Sequence, residues 1–316
     1  MGRRNQVYRR NSRSRYSRYG RDNHLVRNII IISASAVIAL AVAGVLIWYF
    51  VFYQPTQTSQ SDVSSTAPSV IESTQSTEST VSQQTAANSY ETLYPDMYVP
   101  QVEKIGAAEG EKSVYLTFNN APSAQTDKLL DVLEQQGVKA TFFIYCNENT
   151  DAYLKESIKK IHDKGHTVGV LTNTYDYQTI YASVENYLAD FAKVFDLITE
   201  ATGEKPTVFR FAGGSVNGYN QATIKDIVKE MERRGFTYHD WSLDSGDSNQ
   251  WATGQQIYDT TVNGILNSGK SVVLMDNNSS ATLEQLPAII QKAKENGYEF
   301  KAMDATTKPF TMTLPE

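Results

Sequence analysis

The stretch Leu116-Thr117-Phe118-Asn119-Asn120-Ala121-Pro122 closes a short apolar run that begins at Ser113, and a helical segment starts soon after it, near Ala124. An apolar run too short for a helix, ending in amides and a proline, predicts a buried strand that stops at Asn119-Asn120. The same pattern then recurs to the end of the chain. β-Branched or aromatic runs occupy 113–118, 140–146, 167–172, 208–213, 237–243, 271–276 and 298–304. Amphipathic stretches lie between them, with Leu129, Leu130 and Leu133, or Ile224, Ile227, Val228 and Met231, at the spacing of a helix face. Gly137, Gly165, Gly203, Gly235, Gly269 and Gly297 precede six of the runs, where a helix C-cap favours a left-handed residue. Seven strands alternating with six helices predict parallel βα units. About 200 residues is near the lower bound for a closed barrel, and ligand chemistry in that architecture sits at the C-terminal strand ends.

Those ends are therefore the places to read. The third gives Gly165-His166-Thr167-Val168-Gly169-Val170-Leu171-Thr172-Asn173-Thr174-Tyr175, and the fourth Arg210-Phe211-Ala212-Gly213-Gly214-Ser215. The fifth gives Asp240-Trp241-Ser242-Leu243-Asp244-Ser245-Gly246-Asp247, and the sixth Leu274-Met275-Asp276-Asn277. Over residues 112–305 this series resembles the motifs of the polysaccharide deacetylase family, the NodB-homology domains of the carbohydrate esterase family 4 type. The resemblance implies a distorted seven-stranded (β/α) barrel, in keeping with the seven runs. It also implies where chemistry would reside. The family reads Thr-Phe-Asp-Asp-Gly-Pro at the first strand end, its first Asp a general base and its second a metal ligand; here both are amides, Asn119 and Asn120. Its two further metal-binding histidines fall on Leu171 and Tyr175, and its general-acid histidine falls on Asp276. An amide takes no proton from water at neutral pH and is a poor zinc ligand. Leu cannot ligate, and Tyr rarely does in such a site. The family's arginine holds the catalytic Asp; Arg210 would face Asn119, leaving its charge for an internal ion pair or a ligand carboxylate.

All five positions being changed, the expectation is a deacetylase-like protein with no hydrolytic activity and no zinc or other divalent metal. It would bind cell-wall glycan, peptidoglycan included, or a partner in the old cleft. The candidate lining residues are Asn119, Asn120, Asn173, Arg210, Gly213, Asp244, Asp247, Asp276 and Asn277. Two alternatives stay open. Asp244, Asp247, Asp276 and Asp304 could gather into a rebuilt carboxylate site, for acid–base work or a hard cation such as Mg²⁺ or Ca²⁺. Alternatively, the chain could be a structural scaffold in a cell-envelope complex. Of the four histidines, His166 reads as structural, His239 as packed or exposed, His162 as helical, and His24 lies in a basic tail. Cys146, the one cysteine, reads as a core thiol and excludes an intramolecular disulfide.

Ahead of this domain the composition changes sharply. Residues 1–27 carry nine Arg and one Asp, a net +8 that leaves −14 for the remainder of a chain of net −6. Residues 29–53 are uncharged and rich in Ile, Ala, Val and Leu, with Trp48, Tyr49 and Tyr53 at the far end. As a helix this run spans roughly 37 Å, enough to cross a hydrocarbon core of about 30 Å. The arrangement predicts a single-pass membrane anchor over 28–53, with the 1–27 tail cytoplasmic and the C-terminal domain extracellular. It assigns the arginines to topology and anionic lipid rather than nucleic acid. Residues 54–92, rich in Ser, Thr and Gln, cannot bury enough surface to fold and read as a disordered linker. Residues 93–111 form a lead-in, extended over Tyr90–Val99 and packed on the 112–308 domain.

Overall fold

The computed structural model describes residues 90–106, 108 and 110–315; the tail, anchor and most of the linker inferred above lie outside them. Among the described residues no helix is long and apolar enough to cross a membrane.

The chain alternates strands and helices. The strands are β1 (Ser113–Asn119), β2 (Thr141–Tyr145), β3 (Thr167–Thr172), β4 (Val208–Phe209), β5 (Thr237–Tyr238), β6 (Leu243–Asp244), β7 (Lys270–Asp276) and β8 (Glu299–Phe300). The helices are α1 (Ala124–Gln135), α2 (Ala152–Asp163), the single turn α3 (Tyr177–Ile180), α4 (Val184–Thr202), α5 (Ile224–Arg233), α6 (Gly254–Leu266) and α7 (Ser280–Glu295). All pairings are parallel, in the order β5-β4-β3-β2-β1-β7-β6, and β8 pairs with the start of β1. The result is an open, half-barrel α/β sheet.

The strand count differs from the sequence expectation, eight rather than seven. The run 237–243 does not remain one strand. Its start pairs with β4 and its end with β7, so it breaks at His239–Ser242 and leaves the sheet open between β5 and β6. The C-terminal tail packs across this break. The Asp240 amide donates to the Phe310 carbonyl (2.6 Å), and the Met312 amide donates to Asp240 Oδ2 (2.9 Å). Of the six pre-strand glycines, five take a positive φ; Gly269 does not, and the correction is that it opens β7 rather than capping α6.

Period two along the strands divides the core. Val114, Leu116 and Phe118 of β1, Phe142 and Ile144 of β2, and Val168 and Val170 of β3 join the helix-facing core. Tyr115, Phe143, Leu171, Val208, Val272 and Met303 form a second cluster inside the half-barrel, with Trp241 and Phe310 packed on it. At Gly169 a Cβ would come within 2.8 Å of the Val208 carbonyl and 2.9 Å of the Phe143 ring, so β3 and β4 approach closely only because that position has no side chain. Helix starts follow their caps: Ser123 and Thr126 form a reciprocal capping box on α1, and Thr253 and Gln256 another on α6.

The lead-in packs as expected but is not extended. It turns at Tyr94 (φ 51°) and wraps the fully buried Arg234, which donates to the carbonyls of Tyr90, Leu93, Tyr94 and Met97.

Candidate functional site

β1 delivers Asn119 and Asn120 to the C-terminal edge of the sheet. Arg210, just past β4, lies beneath them with no exposure at all. Its Nη1 donates to Asn119 Oδ1 and Thr117 Oγ1 (both 2.9 Å), Nε to the His239 carbonyl (2.9 Å), and Nη2 to the Asp240 carbonyl (3.0 Å). Its guanidinium also lies 4.3 Å from the Phe143 ring centroid. All four acceptors are neutral. Among the described residues Arg210 therefore has no ion pair, because the Asp240 carboxylate is taken by Ser215 and the Met312 amide. Burial pulls the Arg210 pKa down to about 9, with Asp240 opposing. With Oδ1 held by Arg210, the Asn119 amide keeps its NH₂ as a free donor.

Asn120 takes a left-handed φ of 88°, which Asn tolerates better than most residues. Its Oδ1 accepts the Tyr175 hydroxyl at 2.5 Å. Burial of that hydroxyl, with Tyr177, Asp276 and Tyr145 nearby, raises the Tyr175 pKa, although the residue as a whole is 42% exposed. The loop carrying Tyr175 is fixed from behind by Asp190 of α4, which accepts from the Thr172 hydroxyl (2.7 Å) and the amides of Asn173 (2.9 Å) and Thr174 (3.0 Å). Burial raises the Asp190 pKa against those hydrogen bonds.

On the other wall, the Asp247 carboxylate accepts from the Asp276 amide (2.9 Å) and the Thr282 hydroxyl (2.5 Å), joining the β6–α6 loop to β7 and α7. Burial again raises its pKa. Asp276 Oδ1 accepts from the Asn278 amide, and Asp244 Oδ1 from the Gly246 amide (both 2.8 Å).

Together these residues enclose a cleft of about 180 Å³. Asn119, Asn120, Gly213, Asp244, Asp247 and Asp276 line it as expected, as do Leu171 and Tyr175. Three candidates do not line it, and the first, Arg210, lies buried beneath the floor. Asn173 braces the β2–α2 loop, where its Oδ1 accepts from the Glu148 amide (2.9 Å) and the Cys146 thiol (3.1 Å). Asn277 is buried under the β1–α1 turn, accepting from Thr126 and donating to the Ala121 carbonyl (3.0 Å). Asp304 does not join the other acids, for its carboxylate closes its own turn with Thr306 and Thr307. The lining also includes Tyr177, Trp241, Ser248, Leu274 and Met275. The expected list missed Tyr177, although the density of tyrosines at 175, 177 and 181 was visible in the sequence.

The remaining titratable candidates are structural. His166 precedes β3, away from the cleft; its Nδ1 accepts the Ala140 amide (3.1 Å), and burial pushes its pKa down to about 4. His239 is fully buried, with its pKa pushed to about 3 by burial and then by Arg210. The Cys146 thiol is raised to about 11 by burial.

The residues at the family's metal positions do not fit a divalent ion. Leu171 has no donor atom, and the Tyr175 hydroxyl and Asn120 oxygen are spent on each other. Among the described residues no group of three His, Cys, Asp or Glu could hold a metal ion.

The polysaccharide deacetylase family model matches residues 106–239, covering β1 to β5 and the first four strand ends. A putative polysaccharide deacetylase of Bacillus subtilis is 32% identical over 206 residues, 63% of this chain and 70% of that protein. The chain belongs to the polysaccharide deacetylase family. A peptidoglycan-N-acetylglucosamine deacetylase of Bacillus cereus is 31% identical over 198 residues, 60% of this chain and 69% of that one. The catalytic domain of a peptidoglycan N-acetylglucosamine deacetylase from Eubacterium rectale has a TM-score of 0.63 at 28% identity, over 68% of this chain and 98% of that domain.

Proposed function

We propose that this family member binds cell-wall glycan in the old catalytic cleft without hydrolysing it, and that an uncleaved helix over residues 28–53 holds it to the membrane with the domain outside. The observation that carries the reading is the contact between Tyr175 and Asn120. Two positions that would hold the family's metal satisfy each other, and the third, Leu171, offers only methyl groups. Asn119 at the base position is held by Arg210 and has no basic pair to offer water. What remains is suited to a sugar: free amide donors on Asn119 and Asn120 for hydroxyl or carbonyl oxygens, carboxylates as acceptors, and aromatic faces. Relatives named for deacetylation of peptidoglycan N-acetylglucosamine support a wall glycan as the ligand class. The Arg-rich 1–27 segment followed by the uncharged 29–53 run supports the anchor.

The test is to incubate the full chain with a β-1,4-linked N-acetylglucosamine tetramer, before and after equilibration with zinc, cobalt or nickel, and to measure bound metal, acetate and free amine. The expected result is no stoichiometric metal and no acetate, with saturable binding of β-1,4-linked glucosamine-type oligomers. Acetate release that depends on the added metal would overturn the reading.

A further inference from the structure

The cleft, at about 180 Å³, is smaller than the roughly 300 Å³ at which pockets begin to enclose a drug-sized molecule. A glycan chain seated in it therefore has most of its rings outside, over the rim. Two large aromatics stand on that rim. Trp251 is 80% exposed, the most exposed large apolar side chain among the described residues, and Tyr219 is 54% exposed. Trp251 follows the lining residue Ser248 by three positions, so its Cα lies within about 11 Å of that wall. The Tyr219 ring centroid lies 5.5 Å from that of Tyr177, which lines the cleft beside Gly213.

Single aromatics on a surface are ordinary. These two are held in place by the loops that build the cleft. Asn249 Oδ1 accepts the Trp251 amide (3.0 Å), and the Asn249 carbonyl accepts the Ala252 amide (2.8 Å). In the same loop Asp247 is bonded to the Asp276 amide and the Thr282 hydroxyl, and Thr253 with Gln256 then caps α6. At the other position Asn217 Oδ1 accepts the amides of Tyr219 (2.8 Å) and Asn220 (3.2 Å). The fully buried Asn220 donates through Nδ2 to the carbonyls of Gly214 and Ser215 (both 3.2 Å). Both backbones are thus fixed while both rings are left to solvent, and a preorganised aromatic binds at a small entropic cost.

The surroundings of the two rings select the class of partner. Ser248, Asn249 and Gln250 precede Trp251, and Asn217, Gly218 and Asn220 flank Tyr219. A protein-docking patch is apolar at its centre. Separate ring faces among amides and hydroxyls instead match a ligand whose own flat faces alternate with hydroxyl edges.

We propose that Trp251 and Tyr219 bind the outer rings of a glycan that overruns the cleft, so that the ligand is an extended chain and not a single sugar or a disaccharide. This rests on the glycan-binding reading above and adds to it the length of chain recognised.

The experiment is calorimetry on the full chain with β-1,4-linked N-acetylglucosamine dimer, tetramer and hexamer. The expected result is an affinity that rises about a hundredfold from dimer to hexamer. Trp251→Ala and Tyr219→Ala should each lower hexamer affinity about tenfold and leave dimer affinity alone. Because both side chains are exposed, the melting curve should stay where it was, so a loss of affinity is not a loss of fold. Tyr153→Ala, which removes a comparably exposed ring (53%) from α2, should leave all three affinities unchanged. A gain with chain length that survives both rim substitutions, or no gain at all, overturns this inference and leaves the glycan-binding reading standing. An equal loss from Tyr153→Ala overturns the assignment to these two residues. No binding of any oligomer overturns both readings.

Discussion

Two arginines are completely buried in this domain, and they differ in every respect except depth. Arg234 lies among four carbonyls of the lead-in and pairs through Nε with Glu230 Oε1 at 2.7 Å; Glu230 also takes Arg233 at 2.7 Å. Arg210 lies under the cleft and meets only an amide, a hydroxyl and two carbonyls. One charge is matched where it was placed. The other is unmatched: its donors are all satisfied, but the side chain that faces Nη1 is the neutral amide of Asn119. A buried arginine without a charge partner can still be held in position by its hydrogen bonds alone.

The largest expected effect breaks the matched site. Arg234→Met strands Glu230 with a single partner, leaves four carbonyls without a donor and unhooks residues 90–99. The expected loss is roughly 3–5 kcal/mol in denaturant unfolding, with new proteolytic cuts in the lead-in. Arg210→Met should lose less, about 1–3 kcal/mol, because removing an uncompensated buried charge offsets part of the cost of the unmade bonds. Equal losses from the two substitutions would erase the distinction drawn here.

The two regions should also separate by pH. His239, whose carbonyl accepts from Arg210, titrates at about 3 in the fold against an ordinary value near 6.5. The unfolded chain therefore binds more protons between those values. Stability present above about pH 6.5 falls as the pH drops towards 3, on the order of a few kcal/mol, and His166 adds to the loss down to about 4. The raised carboxyls of Asp190 and Asp247 act with the opposite sign. At the Arg234 site burial works against Glu230, but the bonds from Arg233 and Arg234 win and hold its pKa below the usual value of 4.5. Its contribution is thus present above 4.5 and is lost only as the pH falls below that. Unfolding measured from pH 7 to 4 should show the early loss in the parent chain and a flatter curve in His239→Leu.

Much of this was legible before any coordinates. Short apolar runs, glycines and period-four faces gave the parallel βα order, and the strand-end residues named most of the cleft. What the sequence hid is contact. Nothing in the run 237–243 says that it will divide between two neighbours, since pairing depends on partners 30 residues away on each side. Asn173 and Asn277 look like Asn119 and Asn120 on paper, yet they face the loops and turns they brace. Arg210 gave no sign that its nearest acid would be occupied by a C-terminal amide.

Restoring the missing anion at Arg210 is the next test in size. Asn119→Asp should convert a neutral contact into a charge-assisted pair and raise stability by about 1 kcal/mol, tempered by desolvation of the new carboxyl. Arg210 should titrate above its present value of about 9. No acetate should appear, for Leu171 and Tyr175 are unchanged and still offer no metal site. Destabilisation would mean that the region has repacked around the neutral amide and is no longer a vestige of an ion pair.

The smallest effect concerns the contact between Tyr175 and Asn120. Tyr175→Phe removes one hydroxyl and leaves the ring packed against Tyr145, so thermal stability should change by no more than about 1 kcal/mol. The freed Asn120 oxygen should still bind no zinc, since Phe and Leu171 would then face it without a lone pair between them. Glycan affinity should change little, because the ring rather than the hydroxyl carries the stacking. If instead the hydroxyl's loss weakens glycan binding tenfold, then Tyr175 binds the sugar directly and its partnership with Asn120 opens when the ligand arrives. The same substitution read by metal content and by glycan affinity thus separates a site closed on itself from one closed only until a sugar enters.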